Sequence, residues 1–156
     1  MNKNPLTLAL KRLSVRAYSQ KELEGYLDKF DFSREQIKDV LAQLRSWGYL
    51  DDQKYAVSLI NHYTNYKQYG YFYILNKLQE KGISEEIITS LLNDYDEQEE
   101  LERACHLAEK YIANKANQKS AEQLKSMLAR HLSRKGFLTA NIMTIVNGNF
   151  TYLINS

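Results

Sequence analysis

Apolar residues recur at helical spacing along almost the whole chain, interrupted by short polar turns. Residues three and four apart share one face of a helix, so this spacing predicts a series of amphipathic helices. Start and stop signals agree with it. Ser19-Gln-Lys-Glu22, Ser33-Arg-Glu-Gln36 and Ser120-Ala-Glu-Gln123 are capping boxes, in which the serine caps the first turn and the third following residue reaches back. Asp51, Ser84, Asp96 and Thr139 are further candidate N-caps. Gly48, Gly82 and Gly136 suit the left-handed position just past a helix. Sustained two-residue alternation, the mark of a strand, is missing. Together these signals predict helices near 5–16, 20–30, 34–47, 52–67, 71–81, 85–93, 97–115, 121–134 and 140–147.

The helices read as three copies of one unit. With Leu27, Leu78 and Leu132 aligned, the positions four before are Leu23, Ile74 and Leu128. Five after stand Phe32, Ile83 and Phe137, ten after Ile37, Ile88 and Ile142, and fourteen after Leu41, Leu92 and Val146. Every aligned position is apolar, at offsets of 51 and 54 residues. The turns Lys81-Gly82-Ile83 and Lys135-Gly136-Phe137 match, whereas the first copy has Asp31 in place of the glycine. A short three-helix unit buries little core alone, so neighbouring units are expected to stack. The expectation is an all-α, elongated and curved tandem array of three three-helix repeats, of helix-turn-helix type. Their bounds are 1–50, 51–95 and 96–150, with a C-terminal tail at 151–156.

Composition narrows the class without naming a function. One cysteine among 156 residues excludes a disulfide framework and a cysteine-rich zinc site. No apolar run approaches the roughly 20 residues that span a bilayer, and the N-terminal segment lacks the pattern of a secretory signal. The expected compartment is the cytoplasm. Net charge is only +2 but unevenly spread. Residues 94–102 hold six acids and no base, which suits a helix N-terminus. Residues 115–156 hold Lys115, Lys119, Lys125, Arg130, Arg134 and Lys135 against Glu122 alone. Like charges gathered on one segment repel one another unless something anionic meets them.

Candidate chemistry is sparse. Cys105 lies in the apolar stripe Leu101, Ala104, Cys105, Ala108 and reads as core. Glu102, His106 and Glu109 share a helix face, but no second ligand cluster accompanies them. No phosphate-binding glycine loop is present. The protein is therefore expected not to be an enzyme and to need no cofactor or metal. Aromatic residues say more. Five of the twelve tyrosines, Tyr63, Tyr66, Tyr69, Tyr71 and Tyr73, crowd around Lys67 at a helix junction that contains Gly70. Rings beside a cation suit a partner surface or stacking on bases, or half-buried packing with the hydroxyls at the rim; two or three are expected in the core. Bases recur as well: Lys77 and Lys81 flank Leu78, and Arg130, Arg134 and Lys135 flank Leu132. Such recurrence on a stacked array predicts a positive edge.

The chain resembles the RecX family of recombination regulators. The resemblance runs over about 6–148. It rests on Arg16-Ala-Tyr-Ser-Gln-Lys-Glu-Leu23, Gly48-Tyr-Leu-Asp-Asp52 followed by Tyr55-Ala56, Gly70, Ile74-Leu-Asn-Lys-Leu-Gln-Glu-Lys-Gly-Ile83 and Leu132-Ser-Arg-Lys-Gly-Phe137. It implies tandem three-helix repeats. It also implies a regulator that lodges in the groove of the RecA filament on single-stranded DNA, inhibiting ATPase, strand exchange and co-protease activity. Two positions depart from the family: Tyr55 stands for the usual Phe, and Tyr69 for the usual base before the glycine. No additional N-terminal domain is expected. The residues expected to touch RecA or DNA are Arg16, Tyr66, Lys67, Tyr69, Tyr71, Lys77, Lys81, Arg130, Arg134 and Lys135. The expected form is a monomer with no membrane partner. A different reading of the same bases is a helix-turn-helix protein that binds DNA directly, without RecA.

Overall fold

The computed structural model describes residues 4–115 and 119–149, so the expected tail at 151–156 lies outside the described residues. Among them every regular element is helical: α1 (Pro5–Leu13), α2 (Gln20–Leu27), α3 (Arg34–Ser46), α4 (Asp52–Asn61), α5 (Tyr71–Glu80), α6 (Glu85–Leu92), α7 (Glu97–Lys115), α8 (Ala121–Arg134) and α9 (Thr139–Thr144). No helix among them is long and apolar enough to cross a membrane.

The helix starts are built as the sequence predicts. Ser19, Ser33 and Ser120 each accept the N–H three residues on, and Glu22, Gln36 and Gln123 each accept the serine N–H in return. Asp51, Ser84 and Asp96 cap α4, α6 and α7 through their side chains. Thr139 does not cap. Leu138 holds that position without a side-chain cap, and its own N–H goes to the Glu100 carboxylate at 3.0 Å.

α1 and α2 end three residues before their expected ends, at Leu13 and Leu27, and two other helix ends differ in a common way. Instead of one helix to residue 67, α4 ends at Asn61 and continues as a π turn over His62–Tyr66. Likewise α9 ends at Thr144 and continues as a π turn over Ile145–Asn149. At each place a threonine hydroxyl donates to the carbonyl four residues back: Thr64 to Ile60 at 2.8 Å, and Thr144 to Ala140 at 2.9 Å. Such back-bonding competes with the regular helical ladder and bends it. The first π turn closes with the Lys67 N–H on the His62 carbonyl, and Gln68 follows in the left-handed region at φ 59°.

The aligned apolar positions form the cores. Leu27, Leu78 and Leu132 are fully buried, as are Leu23, Ile74 and Leu128. Only Phe32 of the aligned set is half-buried. One core cluster holds Ala9, Leu23, Leu27, Ile37, Val40, Leu41, Leu44 and Leu50, all from the first repeat. Another holds Ala104, Ala108, Ile112, Leu124, Leu128, Leu132, Phe137, Ile142, Ile145 and Val146, all from the third. Each fully buried leucine contributes about 1.5–3 kcal/mol relative to exposure. Compactness divides the chain differently from the repeats: 1–59 with 77–91 form one unit, and 60–76 with 92–156 the other.

The turns explain part of that division. Gly82 and Gly136 adopt φ of 77° and 84°. Ile83 and Phe137 then return their N–H groups to the carbonyls of Leu78 and Leu132, closing the helix end in the manner that favours glycine. Asp31, at the equivalent place, stays out of the left-handed region. In the first unit the Lys81–Gly82 turn lies against the start of α2, where a Cβ on Gly82 would come within 2.6 Å of the Lys21 side chain. In the second unit the Lys135–Gly136 turn lies against the start of α5, where a Cβ on Gly136 would come within 2.3 Å of the Tyr73 nitrogen. In both units, then, the turn of one repeat packs on the middle helix of the repeat before it.

Candidate functional site

In the first unit that packing gathers two of the sequence-predicted cations on one acid. The Ser19 hydroxyl donates to the Lys81 carbonyl. This draws the Lys81 side chain to Glu22, with Nζ 3.4 Å from Oε1. Arg16 reaches the same oxygen at 3.3 Å, donates to the Tyr55 hydroxyl at 3.2 Å and lies 3.5 Å over the Tyr18 ring. Partial burial works against the Glu22 charge. The Ser19 N–H, Arg16 and Lys81 more than offset it and hold the carboxyl below its ordinary value. Burial also works against the Arg16 charge, yet Glu22 with Tyr55 and Tyr18 leaves its pKa raised. Burial, then the Glu22 charge, push the Tyr55 phenol up to about 12. Tyr55 thus stays a neutral hydroxyl that accepts from Arg16, which a Phe at this place could not do. Two cations thus share one carboxylate at this corner.

In the second unit the equivalent corner is aromatic. Gly70 and Phe72 donate to the carbonyls of Lys135 and Gly136 at 2.9 and 2.8 Å. A Cβ on Gly70 would come within 2.4 Å of the Phe137 backbone, so backbone meets backbone here. Tyr69 stacks on Tyr73 at 3.7 Å, and Tyr63 stands edge-on to Tyr73 at 5.5 Å. The Lys135 ammonium lies 5.0 Å from the Tyr69 ring centroid. Lys135, the counterpart of Lys81 in the repeat alignment, is thus the cation at this corner. None of the five clustered tyrosines is fully buried, against the two or three expected in the core. Four are half-buried, Tyr63, Tyr69 and Tyr73 against one another and Tyr71 against Phe72 and Tyr95. Only Tyr66 is exposed, at 78%, stacked on His62 with Lys67 beside it.

A buried carboxylate holds this corner. Glu100 is fully buried and accepts from the Tyr71 N–H at 2.8 Å, the Tyr95 hydroxyl at 2.7 Å, the Leu138 N–H at 3.0 Å and the Asn141 amide. It thereby ties the starts of α5 and α9 to α7. Burial and the bond to Glu100 raise the Tyr95 pKa, keeping its proton in place. Arg103 adds bonds to the Tyr69 carbonyl and the Tyr95 hydroxyl. Tyr71 sits edge-on to Tyr95 as part of this group. Reading the acids of 94–102 only as helix-dipole partners misses Glu100. Its signal is periodicity: Glu100, Ala104, Ala108 and Ile112 are the buried residues of α7.

The remaining predicted residues fall at the surface. Lys77 pairs with Glu80 at 3.1 Å. Arg130 and Arg134 are exposed on α8. Their neighbourhood is electropositive: burial, then Lys135, Arg134 and Lys115, lower the pKa of His131, which stacks on Tyr111. Cys105 is half-buried against the third-repeat core, and burial pushes its thiol up. Among the described residues no group of three His, Cys, Asp or Glu is placed to hold a metal ion.

Fold and corners together define a protein of tandem three-helix domains, joined by a repeated turn-on-helix contact that carries a lysine each time. Comparison with known proteins gives the family. The sequence model of the RecX first three-helix domain matches residues 6–44, and that of the second matches 51–92. The regulatory protein RecX of Pelodictyon phaeoclathratiforme is 36% identical over 133 residues, covering 85% of this chain and 80% of the relative. The regulatory protein RecX of Streptococcus pneumoniae serotype 19F is 32% identical over 130 residues, 83% of this chain. The chain spans about half the length of that relative, 49%. The crystal structure of RecX from Lactobacillus salivarius superposes with a TM-score of 0.82 at 28% identity, covering 92% of both chains. The chain belongs to the RecX family.

Proposed function

We propose that the protein is a negative regulator of RecA, binding in the groove of the RecA–single-stranded DNA filament. There it inhibits ATPase, strand exchange and co-protease activity. The observation that carries this reading is membership of a family whose relatives are named regulatory protein RecX. Two structural features support it. The Arg16–Lys81 corner and the Lys135–Tyr69 corner present cations at equivalent places in two units, and α8 adds Arg130 and Arg134. Cations so placed steer association with a DNA-bearing partner and hold phosphate. No step of this function needs chemistry from the chain itself; occupancy of the filament is the mechanism. The protein acts as a cytoplasmic monomer in this reading. The test is the steady-state ATPase of RecA on single-stranded DNA with increasing amounts of the protein. The rate is expected to fall to a low plateau. An unchanged rate, together with tight sequence-selective binding to duplex DNA alone, would instead favour a direct helix-turn-helix DNA binder.

A further inference from the structure

We infer that the His62–Tyr66 π turn is a stacking platform for an unpaired nucleobase, with Lys67 placed for the adjoining phosphate. This deepens the reading above by naming the filament component this face takes, and rests on it for the identity of that strand as DNA. The geometry of the rings comes first. The π turn sets His62 and Tyr66 in parallel, with centroids 5.6 Å apart and planes 16° from parallel. Both rings are on the surface, and Tyr66 is 78% exposed, so the stack ends in water rather than in a core. A stacked pair left open at the surface offers a π face to a third ring, which every base supplies.

The surroundings choose the occupant. Asn61, Asn65 and Lys67 are the exposed neighbours, amides and a cation rather than an apolar rim. Amides suit base edges, and the Lys67 ammonium lies over the Tyr66 ring, 5.9 Å from its centroid, a cation at the ring for the adjoining phosphate. The sequence from Gln53 to Gln79 contains no Asp or Glu, so no acid of this segment opposes a phosphate. Behind the platform the rings continue through Tyr63, 5.2 Å from His62, into the Tyr73–Tyr69 stack. That backing orients the platform with few rotatable bonds. The left-handed Gln68 marks the sharp exit that keeps Lys67 at the turn's outer end.

The test uses a short labelled oligothymidylate and an abasic strand of the same length, with the full chain and no RecA, read by fluorescence anisotropy. Tyr66→Ala and His62→Ala are expected to weaken oligothymidylate binding by about 5- to 100-fold, the range for loss of one base stack. Tyr66→Phe is expected to bind as the parent does. On the abasic strand parent and Tyr66→Ala are expected to be equal, since phosphate contacts alone remain. Circular dichroism confirms folding, which the exposure of both side chains favours. The inference is overturned if the parent does not bind oligothymidylate, if Tyr66→Ala binds it unchanged, or if Tyr66→Phe loses as much as Tyr66→Ala. An equal loss on the abasic strand overturns it too. RecA ATPase is measured on the same preparations. A parent that inhibits RecA while Tyr66→Ala keeps oligothymidylate binding but loses filament binding assigns the ring to protein contact; this overturns the platform and leaves the proposed function standing. A parent that binds DNA in the expected pattern but leaves RecA unaffected does the reverse.

Discussion

Gly136 adopts φ of 84°, and a Cβ there would lie 2.3 Å from the Tyr73 nitrogen. Gly48 has nearly the same φ, 80°, but open space around it. Alanine at either position meets the left-handed penalty of about 1–2 kcal/mol, and only at Gly136 must the turn also move off α5. Gly136→Ala is therefore expected to destabilise the protein clearly more than Gly48→Ala in urea unfolding. Equal losses would mean that the turn gives way without resistance. Leu78 makes a second residue-scale case, being fully buried at a position apolar in every repeat; Leu78→Ala is expected to lower stability by about 2–5 kcal/mol. The residues that periodicity finds best are of this kind, since burying a leucine leaves its mark on every turn of the helix. Glu22 shows what periodicity does not reveal. Its capping role is legible from Ser19, three residues before it, and Arg16 stands six before it, whereas its pairing with Lys81 depends on a turn about 60 residues further on.

At the scale of elements, the helix starts follow from local sequence and the helix ends less so. Capping boxes involve four consecutive residues, so the sequence contains the whole motif. At each π turn a threonine hydroxyl bonds its own helix carbonyl, a choice that no hydrophobic pattern records. Long-range caps are equally hidden: α5 and α9 begin on Glu100, far along the chain. Glu100→Ala is expected to cost about 3–5 kcal/mol, since several buried donors lose their acceptor at about 1–3 kcal/mol each. Unfolding midpoints check the figure, and a loss below that of an exposed acid such as Glu99 would deny the carboxylate its tying role. The Glu22 carboxyl makes a pH prediction. Its pKa is lower folded than its ordinary 4.5, so between the two values the unfolded chain binds more protons. The stability it adds is complete above about pH 4.5 and is lost as pH falls through the folded value. The stability difference between parent and Glu22→Gln should thus hold steady from neutral pH to about 4.5 and narrow below it, measured by urea unfolding at each pH. A difference that grows on acidification would reverse the sign of this argument.

At the scale of the whole molecule, family membership stands beside two cationic corners and an exposed ring. The family was legible in short segments whose order is more specific than any one of them. The cationic corners were legible only as recurring bases, because a lysine's sequence place does not say whether it meets an acid, as Lys81 does, or a ring, as Lys135 does. In the function proposed above, these bases hold the protein to the RecA filament. The most direct measurement is the inhibition curve of RecA ATPase on single-stranded DNA for the parent and for the variant Lys81→Ala, Arg130→Ala, Arg134→Ala, Lys135→Ala, at low and at high salt. Circular dichroism is expected to show the same helicity for both. The parent should inhibit more strongly, the advantage should be greatest at low salt, and the variant's inhibition should depend less steeply on salt, since fewer cations face the filament. A variant that inhibits as well as the parent at both salt concentrations would contradict the claim.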